Sequence, residues 1–281
     1  YLEMVRAALI GGILANLLLA MGVSFFLGGL RYHQQNFNAN AARLYVSTML
    51  LAVISMAIPS AFSRAFAPDG VVRDEQMLNI GIAVTLLLAY GLYLLFSLKT
   101  HPEAFASAVS TEVKSEDHGH GGKAWSLQRA IGSLIGASLL AAWMSEILVG
   151  AAEGTGKALG MSEVFIGVVF LAVIGGAAES GSAITVARRN RMDLAIGIGL
   201  GSSIQIALFI APVLVLASYF ISPQPLELSF SKAELGALGF GVLVGAFVIT
   251  DGQSNWFKGV QLITVYAFIA MMFYFMPDIV G

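Results

Sequence analysis

Eight long apolar segments, separated by short polar or turn-forming stretches, set the pattern of this chain. They run about 4–30, 44–63, 77–98, 130–152, 164–187, 194–221, 233–250 and 259–276. Each is long enough to cross an ~30 Å hydrocarbon core as a helix. A backbone in lipid must satisfy its own hydrogen bonds, so helices are expected, and the runs far exceed the roughly ten-residue alternating strands of a membrane barrel. The separators carry breaker chemistry, as in Asn36 to Asn40, Pro68-Asp69-Gly70, Gly154-Thr155-Gly156 and Pro223-Gln224-Pro225. The predicted fold class is all-α, a polytopic transmembrane helix bundle.

Composition agrees. Of 281 residues 57% are hydrophobic and 11% charged, well below the roughly 25% charge of a soluble domain. The absence of Cys and a net charge of −2 exclude a disulfide scaffold and a nucleic-acid binder. The chain opens on Tyr1 with no signal-peptide pattern, and it is expected to begin inside a larger protein. Lys and Arg fall unequally on alternate connections. Ten (Arg31, Arg43, Lys99, Lys114, Lys123, Arg129, Arg188, Arg189, Arg191, Lys258) lie on one side and five on the other. The richer side is predicted to be cytoplasmic.

Three parts are expected: a first half, 1–98; a linker, 99–129; and a second half, 130–281. The linker holds Glu103, Glu112, Glu116 and Asp117 with His101, His118 and His120. It reads as a solvated connection, or as a metal- or pH-sensing segment through its histidines. Shifting the chain by 190 positions lays Leu2-Glu3 over Met192-Asp193, Gly11-Gly12-Ile13 over Gly201-Ser202-Ser203, and Leu18 over Leu208. These are the first and sixth spans, which cross in opposite directions. Inverted repeats of this kind are a recurrent transporter plan, with binding at the midplane.

Polar residues within apolar spans mark the candidate site. Glu179 sits among the small residues Gly175, Gly176, Ala177, Ala178, Ser180, Gly181 and Ser182. A carboxylate at mid-bilayer costs about 2.5–3.5 kcal/mol, so it is expected to face a polar cavity. The small residues allow close helix packing or a loosened helix whose carbonyls turn toward an ion. Ser202 lies as far from the 188–193 turn as Glu179 does, and Gln205 shares its helical face. Asn16, following Gly11 and Gly12, is the counterpart in the first span. This all-oxygen set suits a hard cation such as Ca2+, with Glu179 the metal-binding carboxylate. Ser203 either lines the site or packs helices. Glu146 and Glu153, seven apart, could relay protons or guide cations. Arg188, Arg189 and Arg191 read as anchors, and Asp193 as the cap of the next helix.

Taken together, Gly175 to Ser180, Arg188-Arg189-Asn190-Arg191-Met192-Asp193 and Gly201-Ser202-Ser203-Ile204-Gln205 resemble the second α-repeat of CAX-type Ca2+/H+ antiporters, within the cation/Ca2+ exchanger superfamily. Gly11 to Leu19 with Phe26 to Arg31 resembles the closing half of the first repeat, and Ser145 to Gly150 and Asp251 to Trp256 also fit. The resemblance implies about eleven spans in the complete protein, eight of them here, and Glu179 as one of two exchange carboxylates. Ser202, Gln205 and Asn16 would help line the site, and Glu146 would join the ion path. Gly176 and Ser180 depart from the family pattern, which has Asn and His there. The resemblance therefore implies altered geometry at 176 and an altered selectivity or pH response at 180.

The expected function is Ca2+/H+ antiport by competition of both ions for buried carboxylates, with no resident cofactor. Its partners are the lipid bilayer and the transported Ca2+, in a prokaryotic plasma membrane or a vacuolar one. Rival readings are a Na+- or K+-coupled exchanger, a Mn2+/H+ or Na+/H+ exchanger, or an intramembrane enzyme. The last is disfavoured because there is no HExxH motif, no Cys and no His inside a span.

Overall fold

The computed structural model describes residues 2–66, 72–103, 105, 126–221 and 225–276. Seven of the described helices are long and apolar enough to cross a membrane, and a bent pair makes an eighth span. They are α1 (Leu2–Tyr32), α2 (Ala39–Ser63), α3 (Glu75–Thr100), α4 (Leu127–Gly156), the bent pair α5 (Glu163–Gly175) and α6 (Ala177–Ala187), α7 (Met192–Ile221), α8 (Lys232–Ile249) and α9 (Trp256–Tyr274). All eight expected spans are present. The fold is an all-α membrane helix bundle.

Burial orders the helices. In α1, 78% of the apolar window is enclosed by protein; in α4 none of it is. Helix α1 is thus the central post, and α4 lies at the rim against the start of the bent pair. Apolar side chains gain little by leaving lipid for one another, so close approach depends on small residues. Gly11 admits the backbone of Val168, and Gly22 and Gly259 let α1 and α9 touch backbone to backbone.

Among the described residues four helices contain a wide, π-type turn: Ala15–Ala20, Phe96–Thr100, Ile166–Leu171 and Ile206–Ile210. The first and last obey the 190-residue shift. Met21 N–H donates to Asn16 O, and Ala211 N–H donates to Ile206 O. Inverted symmetry therefore extends to a local distortion that no residue pattern announces.

At the cation-rich face, β1 (Gln34–Asn36) and β2 (Gln253–Asn255) form a short antiparallel ribbon, pairing Gln35 with Ser254. Buried Gln35 donates through Nε2 to Ala187 O (2.9 Å) and Asn190 Oδ1 (3.0 Å). Asp193 is not the cap of α7, since Arg191 occupies that position and its side chain makes no capping bond. The carboxylate instead accepts Asn38 N–H at 2.6 Å, tying the start of α7 to the loop after β1. Lys258 closes the end of α8 by donating to Val248 O (3.0 Å), Gln253 O (2.8 Å) and Asp251.

On the opposite face the extended segment 225–231 has its backbone satisfied by side chains. Leu226 N–H donates to Ser218 Oγ, Leu228 N–H to Asn79 Oδ1 and Phe230 N–H to Ser60 Oγ, while Arg6 Nη1 donates to Ser229 O. Buried irregular backbone requires such partners. Of the linker, Phe105 is buried against the rings of Tyr45, Tyr93 and Phe96, and His101 stacks on Phe96. His118, His120, Glu112, Glu116 and Asp117 lie outside the described residues, as do Pro68-Asp69-Gly70 and Pro223-Gln224.

Candidate ion-exchange site

The bent pair turns by 54° between Gly175 and Ala177. Gly176, at φ −89° and ψ 10°, is the joint. Its N–H still donates to Ala172 O (3.0 Å), and its carbonyl accepts from Ser180 N–H (2.9 Å). The Gly-rich run thus produces a corner rather than a loosened stretch, and Glu179 stands in the first turn of α6 just beyond it.

That corner opens on a cavity of about 520 Å3 bounded by α1, α4, the bent pair and α7. Glu179, Ser202, Gln205 and Asn16 all line it, with Gly12, Gly175 and Gly176. Glu179 and Gln205 are exposed to this space, Ser202 is partly so, and Asn16 is 3% exposed. A side chain at Gly176 would begin 3.2 Å from Asn16 Oδ1, so the glycine keeps the cavity open where the corner faces α1. The rest of the lining is largely apolar, with Leu9, Leu148 and Ile206 among it.

Three expected lining residues stand elsewhere. Ser203 is fully buried and donates to Gly199 O (3.0 Å) and Ile13 O (3.4 Å). Gly11 is consumed in packing against Val168. Ser180 follows Glu179 on α6 but does not reach the cavity wall. Glu146 is exposed and is not part of the lining, whereas its neighbour Ser145 is, with Leu148 and Val149 on the same helical face. As a site residue Ser145 is inconspicuous in the sequence, because a serine in an apolar span costs little and the charged Glu146 stands beside it. The one available signal was its i, i+3, i+4 spacing with apolar residues. The side chain of Glu153 lies outside the described residues.

Chemically, the lining offers one carboxylate, two amide oxygens and two hydroxyls. Among the described residues no three His, Asp or Glu side chains gather as a metal cluster. The set matches the oxygen preference of Ca2+ but neutralises only one of its two charges.

The sequence matches the sodium/calcium exchanger protein family over residues 1–99 and 129–275. A Ca2+/H+ antiporter of Aphanothece halophytica is 38% identical over 98% of this chain and 75% of its own length. A vacuolar calcium ion transporter of Schizosaccharomyces pombe is 35% identical over 99% of this chain and 66% of its own. The solved structure of native YfkE superposes with a TM-score of 0.79 at 36% identity, covering 98% of this chain and 76% of that one. These relatives are transporters rather than enzymes, and the chain spans about three quarters of the length of the first. The chain belongs to the sodium/calcium exchanger family, and within it to the Ca2+/H+ antiporters.

Proposed function

We propose that Ca2+ and protons compete for Glu179 in the α1–α7 cavity and that this competition is the exchange step. The observation that carries the reading is the convergence of Glu179, Asn16, Ser202 and Gln205 on one cavity at the corner of a bent span. An ionised Glu179 attracts the cation, while the amide and hydroxyl oxygens replace part of its water shell. Protonation removes that attraction and releases the cation, so the two ions are linked through one group.

A single carboxylate leaves a divalent ion half neutralised, so a second acid is needed. Under the 190-residue shift the counterpart of Glu179 would stand about eleven residues before Tyr1, on the helix that would mirror α6. Ser145 on α4 adds a hydroxyl from the rim, and Glu146 one residue on serves the ion path outside the cavity. The 99–129 segment joins the two halves, and the membrane is a prokaryotic plasma membrane.

The test is pH-gradient-driven ⁴⁵Ca2+ flux by the full-length protein in everted vesicles. Glu179→Gln should abolish flux while the protein still inserts, and wild-type flux should not require Na+ or K+. Normal transport by Glu179→Gln would place the site elsewhere, and an absolute Na+ requirement would favour the alkali-coupled alternative.

A further inference from the structure

Helices α1 and α7 supply three of the four polar residues assigned to the site besides Ser145, and both carry a wide turn there. Their relative register therefore decides where Asn16 stands against Ser202 and Gln205. One side chain bridges them at their crossing. Ser203 Oγ reaches Ile13 O at 3.4 Å, and 13 and 203 are equivalent positions under the 190-residue shift. A contact between equivalent positions lies on the axis that relates two inverted halves. Ile13 is three residues before Asn16 along α1, and Ser203 is two residues before Gln205 along α7.

The hydroxyl has one proton and two acceptors. Donating to Gly199 O (3.0 Å) keeps it within α7, and donating to Ile13 O ties α7 to α1. The surroundings are closed, since Ser203 is 0% exposed and Gly199 leaves room for the Met21 side chain one turn away. A hydroxyl buried in this way does not exchange its bonds with bulk water, so an interhelical hydrogen bond here retains its directional strength. We propose that Ser203 is a positioning residue of the exchange site, a pin on the inversion axis that holds Asn16 in register with Ser202 and Gln205. This rests on the exchange reading given above.

The experiment measures ⁴⁵Ca2+ flux against Ca2+ concentration in everted vesicles, per molecule of inserted full-length protein, for wild type, Ser203→Ala, Ser203→Thr and Glu179→Gln. Alanine keeps the packed Cβ and removes the hydroxyl, and with it the donor to both carbonyls. Ser203→Ala should raise the half-saturating Ca2+ concentration about fivefold, the size of one hydrogen bond, with the maximal rate within about twofold. Ser203→Thr, which keeps the hydroxyl, should stay near wild type. A purely structural serine would lower the amount inserted and leave half-saturation alone, and that result overturns the pin. So does an equal rise in an inserted threonine variant; if threonine does not insert, the alanine result decides. Glu179→Gln transporting like wild type would instead overturn the site reading itself.

Discussion

Gly11 and Gly181 look alike in the sequence, each a glycine in a small-residue run, yet they do opposite things. A Cβ at Gly11 would fall on the backbone of Val168, whereas nothing lies within 4 Å of one at Gly181. Gly11→Ala should therefore part α1 from α5 at a cost of about 1–3 kcal/mol. Gly181→Ala should leave stability unchanged or slightly raised, because alanine is the better helix former. Thermal unfolding in detergent, followed by tryptophan fluorescence, separates the two. The contrast also shows what the sequence can reveal about single residues. Glu179, Gln205 and Asn16 were readable because an acid or amide in an apolar span is costly and so marks a cavity. Serines in a Gly/Ala-rich run cost little either way: Ser202 was legible only through its depth level with Glu179 and the face it shares with Gln205, Ser145 only through its apolar spacing, and Ser203, which faces a helix, could be read either way.

At the scale of elements, the eight spans followed from hydropathy because length and apolarity are what a bilayer selects. Three features stayed hidden. The wide turns have no compositional mark, and their position emerges only from packing around the inversion axis. Ribbon strands Gln34–Asn36 and Gln253–Asn255 are polar, three residues long and more than 200 positions apart, so no alternation announces them. The 54° corner was suggested by glycines, but the sequence did not say whether the helix would loosen or turn. Gly176 adopts φ −89° and ψ 10°, which other residues tolerate, so shape rather than backbone freedom explains the glycine. Gly176→Ala, whose new methyl would sit 3.2 Å from both Asn16 Oδ1 and the backbone oxygen of Ala172, should consequently lose no more than about 1 kcal/mol of stability while impairing Ca2+ flux. Flux and thermal unfolding on the same preparation would check both halves, and a larger loss of stability with unaltered flux would show that the glycine serves the corner rather than the cavity.

For the molecule as a whole, the cation-rich face is where sequence-distant loops are fastened. Gln35 holds the end of α6, Asp193 holds the loop after β1, and Lys258 joins the end of α8 to β2. The last of these is titratable. Burial pushes the Asp251 carboxyl up, but the Lys258 ammonium and the Gln253 N–H outweigh it and hold the group below its ordinary 3.8. A lowered folded value means that the contribution to stability is complete above the unfolded value, near about pH 4, and is lost as pH falls through the folded one. Asp251→Asn should therefore lower stability modestly at neutral pH, where the contribution is complete, and differ less and less from wild type as pH falls below about 4, as pH-resolved thermal unfolding would register.

Inversion is faithful in the backbone of α1 and α7 but broken in their side chains. Under the shift Ser202 meets Gly12, Gln205 meets Ala15 and Asn16 meets Ile206. On the exchange reading proposed above, an ion arriving from one compartment would therefore be greeted by different oxygens, in a different order, than one arriving from the other. A carrier built this way would have unequal apparent affinities on its two sides. Gradients alone would still fix which way net flow runs, but the ion concentration at which each side saturates would follow from three unmatched pairs of residues.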